Sequence, residues 1–304
     1  MSHLLRAGVI GAGVFGGHHA GKYAGLVGVD LTAVLDPDAE RAAALAARHG
    51  AESFTEAADF LAAVEVVSIT SPADSHVHWA LAALKAGKSV YVEKPLATDL
   101  AGADAIVAQA ARRGLIVACG FLERAALRAS GLTSVPERPL RLEAVRRGVA
   151  SSRNLDVSVV LDLMIHDLDL ALALAPGAPF AVEAEGCCVH NALTDEVQAE
   201  VTFDDGFTAR FSASRVADAP ERRLTVVYPS GEVTMDLLAG TLTAPASFAL
   251  DARFGETAAG RDRLGASLEA FLAAVRGDGG PLADARDGVR ALDLALAVEQ
   301  ALNA

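Results

Sequence analysis

Three groups of residues in this 304-residue chain have types and spacings that could do chemistry. Glu93-Lys94-Pro95 directly follows the apolar run Val90-Tyr91-Val92. Proline disfavours the helical region for the residue before it, so Lys94 is held extended at a strand end, and X-Pro is where cis peptides occur. An amine fixed in this way can donate to one oxygen of a bound molecule, although a solvated lysine is the ordinary occupant of a strand end. The second group is Asp162 and His166, four apart on a helical pattern, with Asp169 three further on. Leu161, Met164, Ile165, Leu168 and Leu172 form an apolar stripe elsewhere on that helix. A carboxylate beside an imidazole suits proton transfer near neutral pH. A solvated i,i+4 ion pair has the same spacing, and no third ligand argues for a metal.

The third group is Gly11-Ala12-Gly13-Val14-Phe15-Gly16, followed by Asp36 twenty residues beyond Gly16. A G-x-G-x-x-G run is weak alone. Here it follows an apolar strand pattern, opens an alanine-rich helix and precedes an acid at the end of the next strand. Glycines at these positions let a backbone approach a pyrophosphate, and the helix N-terminus supplies N–H groups to it. Asp36 is suited to ribose hydroxyls and would repel a 2′-phosphate, so NAD is expected rather than NADP. His18 and His19, on the same helix, are read either as cleft-lining or as partly buried helix residues.

These groups need a scaffold. Strand patterns at Leu5–Ile10, Leu31–Leu35, Val64–Thr70, Ser89–Val92 and Leu115–Cys119 alternate with helical patterns at Arg41–Arg48, Ser75–Ala86 and Leu100–Arg113. Such alternation with continuously apolar strands predicts a parallel sheet covered on both faces. Asp74 is the expected N-cap and Gly87 the expected C′ residue of the helix between them. After about residue 120 the pattern changes. A helix is expected over 122–135 and another over 159–175. Strands are expected near 139–147, 180–190, 195–203, 207–214, 223–228 and 232–238, with Asp204-Asp205-Gly206 a hairpin signal. The fold class is therefore α/β: a dinucleotide-binding domain over 1–120 and an α+β domain over 121–304 with an open, mostly antiparallel sheet. A closing helix over 284–303 is able to pack back on the first domain. Residues 239–262, polar and rich in glycine and alanine, are expected to form a mobile loop.

Composition excludes several classes. The net charge of −13 opposes a nucleic-acid role. No apolar run reaches the length of a membrane span, and the first residues lack the zones of a signal peptide, so a cytoplasmic protein is expected. The three cysteines, Cys119, Cys187 and Cys188, have no metal-ligand spacing and are expected to be reduced and mostly buried. No metal is expected.

The glycine turn with its later aspartate, then Glu-Lys-Pro, then Asp-x-x-x-His, in this order, resembles the Gfo/Idh/MocA family of nicotinamide-dependent oxidoreductases. Ser71-Pro72-Ala73-Asp74-Ser75-His76 and Ala83-Leu84-Lys85-Ala86-Gly87-Lys88 extend the likeness over nearly the whole chain. The resemblance implies that Gly11, Gly13, Val14, Phe15, Gly16 and Asp36 bind NAD, that Ser71, Pro72 and His76 line the cofactor, and that Glu93 lies near the nicotinamide ribose. It also implies Lys94 as the catalytic lysine and Asp162 and His166 as the substrate-domain pair. A finer resemblance is to members of the UDP-N-acetylglucosamine 3-dehydrogenase-like kind. It rests on Arg146, Arg147 and Arg153 and the run Asp156–Asp162, and implies a sugar or sugar-nucleotide substrate. Arg124 and these arginines are then candidate substrate contacts, since guanidinium donors suit a diphosphate. Solvated strand-edge charge is the competing reading. The chain departs from such relatives at Ala125-Ala126-Leu127, where they carry Phe-Asn-Pro. The expected activity is hydride transfer at a secondary hydroxyl. The alternatives are a non-catalytic NAD-sensing protein and an NAD-dependent glycosidase. Relatives of this kind imply a homodimer or homotetramer.

Overall fold

The computed structural model describes residues 4–150, 157–189 and 193–303. The chain forms two compact units, 1–122 with 264–289, and 123–263 with 290–304. The range 121–304 expected for one domain therefore includes a segment, 264–289, that builds part of the first unit.

The first unit runs β1 (Leu5–Ile10), α1 (Val14–Gly25), β2 (Val29–Leu35), α2 (Ala39–His49), β3 (Glu52–Phe54), α3 (Ala57–Ala63), β4 (Val66–Ile69), α4 (His76–Lys85), β5 (Ser89–Val92), α5 (Leu100–Arg113) and β6 (Val117–Cys119). All six strands are parallel in the order β3-β2-β1-β4-β5-β6. This is the doubly wound order of dinucleotide-binding folds. β4 and β5 are buried at every residue, which is why they read as unbroken apolar runs. β3 and α3 were not expected; three and seven residues long, they are too short to show a period. Helix ends follow local chemistry. Asp38 caps α2 by accepting from the N–H groups of Glu40 and Arg41, and Asp99 caps α5 through Gly102 N–H. Asp74 does not cap α4. The segment Ala73–Ser75 is a 3-10 turn in which Ser75 Oγ donates to Pro72 O. The returning segment packs Leu268, Phe271 and Leu272 against Ala20, Tyr23, Val66 and Tyr91.

The second unit contains α6 (Glu123–Ser130), β7 (Arg141–Arg147), α7 (Ile165–Leu174), β8 (Pro179–Cys187), β9 (Glu196–Phe203), β10 (Thr208–Ser214), β11 (Glu221–Tyr228), β12 (Gly231–Asp236), β13 (Thr241–Thr243) and α8 (Ala258–Arg261). α9 (Arg263–Arg276) begins at the last residue before the return, and α10 (Ala285–Leu302) passes from one unit to the other at residue 290. The sheet order is β13-β12-β11-β7-β10-β9-β8, antiparallel except for the β7–β10 pair. Residues 239–262 form ordered structure rather than a loop. The backbones of Gly240 and Gly255 touch, Phe254 is fully buried and α8 follows. Cys119 is buried, but Cys187 and Cys188 are exposed, contrary to expectation, because Cys187 ends β8 at the sheet edge and Cys188 follows it. Among the described residues no helix is long and apolar enough to cross a membrane.

Candidate functional site

The first unit builds a tight, bare-backbone turn at the end of β1. Gly11 has φ +98, and a Cβ there would meet Ser71 N at 2.8 Å; a Cβ at Gly16 would lie 1.8 Å from Gly11 O. Neither position accepts a side chain, so β1, α1 and β4 close tightly at this turn. Gly13, the N-cap of α1, makes no side-chain cap, faces open space and is followed by no acid in the first turn. That helix end suits an anion. Val14 and Phe15 are exposed beside it.

Asp36 is buried at the end of β2. Its Oδ2 accepts from Ala12 N–H at 2.7 Å, its Oδ1 from Asp38 N–H at 2.9 Å, and Arg41 lies 3.3 Å from Oδ1. The carboxylate is thus oriented by the turn it serves. These features fit a bound NAD: donors at the helix end for phosphates, and a fixed acceptor for a diol.

At the other side of β1, Glu93 directly follows β5, and the Lys94–Pro95 peptide is cis. Lys94 is half-buried. His76 Nδ1 lies 2.8 Å from Pro95 O and Nε2 lies 2.9 Å from Ser71 O. His76 is buried and ties the segment after Lys94 to the Ser71 turn, so it acts through these two loops. Burial pushes its imidazole below the usual histidine range, against the pull of both carbonyls. His19, open between two readings from sequence, is fully buried and bonded to Ser68 and Glu93, whereas His18 is exposed.

In the second unit the helix expected over 159–175 opens with a π-helical turn, Val160–Met164, in which Ile165 N–H reaches back to Val160 O. Such turns occur often at functional sites, and the inserted residue shifts the phase between the residues before and after it. Asp162 lies inside this turn and His166 in the first turn of α7; both are half-buried. The segment leading into the turn is anchored by Val159 N–H on Thr194 O at 2.9 Å and by Arg215, whose guanidinium donates to Val157 O, Thr194 O and Asp195. Sequence reasoning missed Arg215.

The arginines differ from expectation. Arg146 is buried, not a strand-edge charge. Its guanidinium forks onto Asp167 at 2.8 and 2.9 Å and reaches Glu123 at 3.2 Å, so it is already engaged by carboxylates rather than offered to a diphosphate. These carboxylates outweigh burial and hold its pKa above the ordinary arginine value. Glu123 also accepts from Arg222 and Arg263. Burial alone would raise its pKa, but the three guanidiniums bring it below the usual carboxylate range. Arg147 follows Arg146 on β7 and points to the opposite face of the sheet. It is exposed there, 3.6 Å from Glu221 and away from α7. Arg124 grips Asp169 with bonds of 2.7, 2.9 and 3.1 Å. Arg153 lies outside the described residues. Ala125, Ala126 and Leu127 are core residues of α6, so the departure there is filled by packing.

Comparison with known proteins gives consistent matches. Residues 5–121 match a family model described as an oxidoreductase family with an NAD-binding Rossmann fold, and residues 143–234 match the GFO/IDH/MocA C-terminal domain. The UDP-N-acetylglucosamine 3-dehydrogenase of Acidithiobacillus ferrooxidans is 36% identical over 313 aligned positions, covering 99% of this chain and 98% of that enzyme. Its solved structure superposes with a TM-score of 0.92 over 99% of this chain and 98% of its own. The WlbA dehydrogenase of Bordetella pertussis, solved with NADH and UDP-GlcNAcA, superposes with a TM-score of 0.89 over 100% of this chain and 96% of its own; at 19% identity this likeness shows the fold alone.

Proposed function

We propose, because this chain belongs to the Gfo/Idh/MocA family of NAD-binding oxidoreductases, that it oxidises or reduces a secondary hydroxyl carbon of a nucleotide-activated sugar, with UDP-N-acetylglucosamine the first substrate to try. The observation that carries this reading is the likeness to a UDP-N-acetylglucosamine 3-dehydrogenase along 99% of the chain. The cofactor is NAD. When bound, it supplies the hydride acceptor or donor. Gly11, Gly13, Val14, Phe15 and Gly16 hold its phosphates and Asp36 its adenosine ribose. Ser71 and Pro72 line it, with His76 setting their position, and Glu93 serves the second ribose.

Lys94 donates to the reacting oxygen and stabilises the negative charge that grows as the proton leaves. His166 accepts that proton, and Asp162 orients its ring. Arg153 is the proposed substrate contact that remains, since Arg124, like Arg146, is already held by a buried carboxylate, Asp169. Cytoplasmic placement is in keeping with an NAD enzyme that exposes two cysteine thiols. A homodimer or homotetramer is in keeping with the open face of the second sheet, where Arg147, Glu196, Glu200 and Arg210 mix charges of both signs.

The test is a screen of UDP-sugars, free sugars and inositols with NAD and NADP, read by NADH or NADPH absorbance, with Lys94→Met alongside. Loss of the donor should lower kcat by about 10²–10³-fold while NAD still binds. Near-normal turnover in that variant, or no turnover of any UDP-sugar by the unmodified protein, would overturn the reading.

A further inference from the structure

Four polar side chains from three elements of the first unit meet in its interior. Tyr23 and His19 come from α1, Ser68 from β4 and Glu93 from the end of β5. The first three have no exposure to solvent and Glu93 has 8%. Tyr23 Oη lies 2.8 Å from Ser68 Oγ, Ser68 Oγ lies 2.9 Å from His19 Nδ1, and His19 Nε2 lies 3.0 Å from Glu93 Oε1.

The hydrogens of this chain have one consistent order. Burial pushes the Tyr23 phenol well up, so it keeps its hydrogen, and Ser68 Oγ is the acceptor in place for it. Ser68 then gives its own hydrogen to His19 Nδ1, which must be a bare nitrogen. The ring therefore carries its proton on Nε2 and donates to Glu93. The reverse order would leave the buried phenol hydrogen without this acceptor, and a Ser68 oxygen that accepted from both Tyr23 and a protonated Nδ1 would leave its own hydrogen without a partner in this cluster. A second feature holds the same carboxylate. A Cβ on Gly120 would lie 2.8 Å from Glu93 Oε2 and 2.9 Å from Oε1 and Cδ, so the bare backbone of Gly120 makes room for Glu93.

We propose that Tyr23, Ser68 and His19 are a positioning relay for Glu93. By fixing the tautomer of His19 they hold the Glu93 carboxylate as an acceptor, in one orientation, next to Lys94. His19 is a positioning residue, acting on the nicotinamide end of the cofactor site through Glu93. The placement of Glu93 at that end rests on the function proposed above.

The test reads NADH binding by titration calorimetry and the His19 tautomer by nitrogen-resolved NMR, neither of which needs a substrate. A failed relay is thereby distinguishable from a failed sugar-nucleotide assignment. In the unmodified protein Nδ1 should be unprotonated and Nε2 protonated. His19→Leu should weaken NADH binding by about tenfold, the worth of one charge-assisted hydrogen bond. His19→Gln, which keeps an N–H toward Glu93, should recover most of it. In a Glu93→Gln background His19→Leu should add no further loss, because coupled residues are not additive. If His19→Leu does not fold, Ser68→Ala keeps the ring and should mix the two tautomers. A protonated Nδ1 in the unmodified protein would overturn the proposal. Equal losses in the Leu and Gln variants, or losses that multiply with Glu93→Gln, would overturn it as well.

Discussion

Arg146 separates the sequence reading from the structural one most sharply, and its replacement by methionine tests the difference. In the structure its guanidinium is the fork for Asp167, which is 3% exposed. Glu123 keeps Arg222 and Arg263, so the loss falls on Asp167. Removing one partner of a buried ion pair costs about 3–5 kcal/mol. A second route gives the same scale. Burial already raises the Asp167 pKa with Arg146 in place; once stranded, Asp167 escapes its desolvation by taking a proton, and each pH unit above its ordinary value of 3.8 makes this costlier by about 1.4 kcal/mol, an upper bound of about 4 kcal/mol at pH 7.

The sign of the pH dependence follows. In the variant the folded state binds a proton that the unfolded state lacks, so the deficit shrinks as pH falls. Between pH 7 and pH 5 about 2–3 kcal/mol should return. Urea unfolding of both proteins at the two pH values measures this. Asp167→Asn in the same chain should restore most of the loss at pH 7, since replacing both partners avoids a lone buried charge. KM for the sugar nucleotide should stay within a few-fold. A stability loss below about 1 kcal/mol together with a tenfold or greater rise in KM would refute the structural assignment and make Arg146 a substrate donor.

Two further outcomes are expected. Asp36→Ser removes the carboxylate that accepts from Ala12 N–H and leaves Arg41 with Asp38 in place of two flanking carboxylates, so the NAD/NADP preference in kcat/KM should fall by about 10–100-fold; an unchanged ratio would contradict the role of Asp36. His76 contributes to acid sensitivity, because burial depresses its folded pKa. The stability it contributes is complete above its ordinary value of 6.5 and is lost as pH falls from there through the lower folded value. His76→Asn should flatten the unfolding-stability profile between pH 6.5 and pH 5, and identical profiles would remove His76 as the cause.

What was legible in the sequence was local. The phosphate turn, Glu93-Lys94-Pro95 and the Asp162/His166 spacing each declare themselves within a few residues. Strand and helix periods were enough to predict the parallel sheet of the first unit, apart from the short β3–α3 insertion, but not its strand order. The partnerships were not legible in this way, since Arg146–Asp167 joins positions 21 apart and His19–Glu93 positions 74 apart. The period nevertheless carried an unused signal. Leu142 and Ala144 put one face of β7 in the core, and Arg146 is the next residue on that face. Ser68 interrupts the buried run Val66-Val67-Ser68-Ile69, and His19 shares a helix face with Tyr23 four residues on. On α7, Asp167 and Asp169 fall among buried leucines. A polar or charged residue in the core phase of a period is costly unless something pairs with it. The pattern therefore states that a partner exists, and only the fold states which residue it is. By that rule Arg146 and His19 each require a buried polar partner, so the core phase alone argues against reading Arg146 as a solvated strand-edge charge.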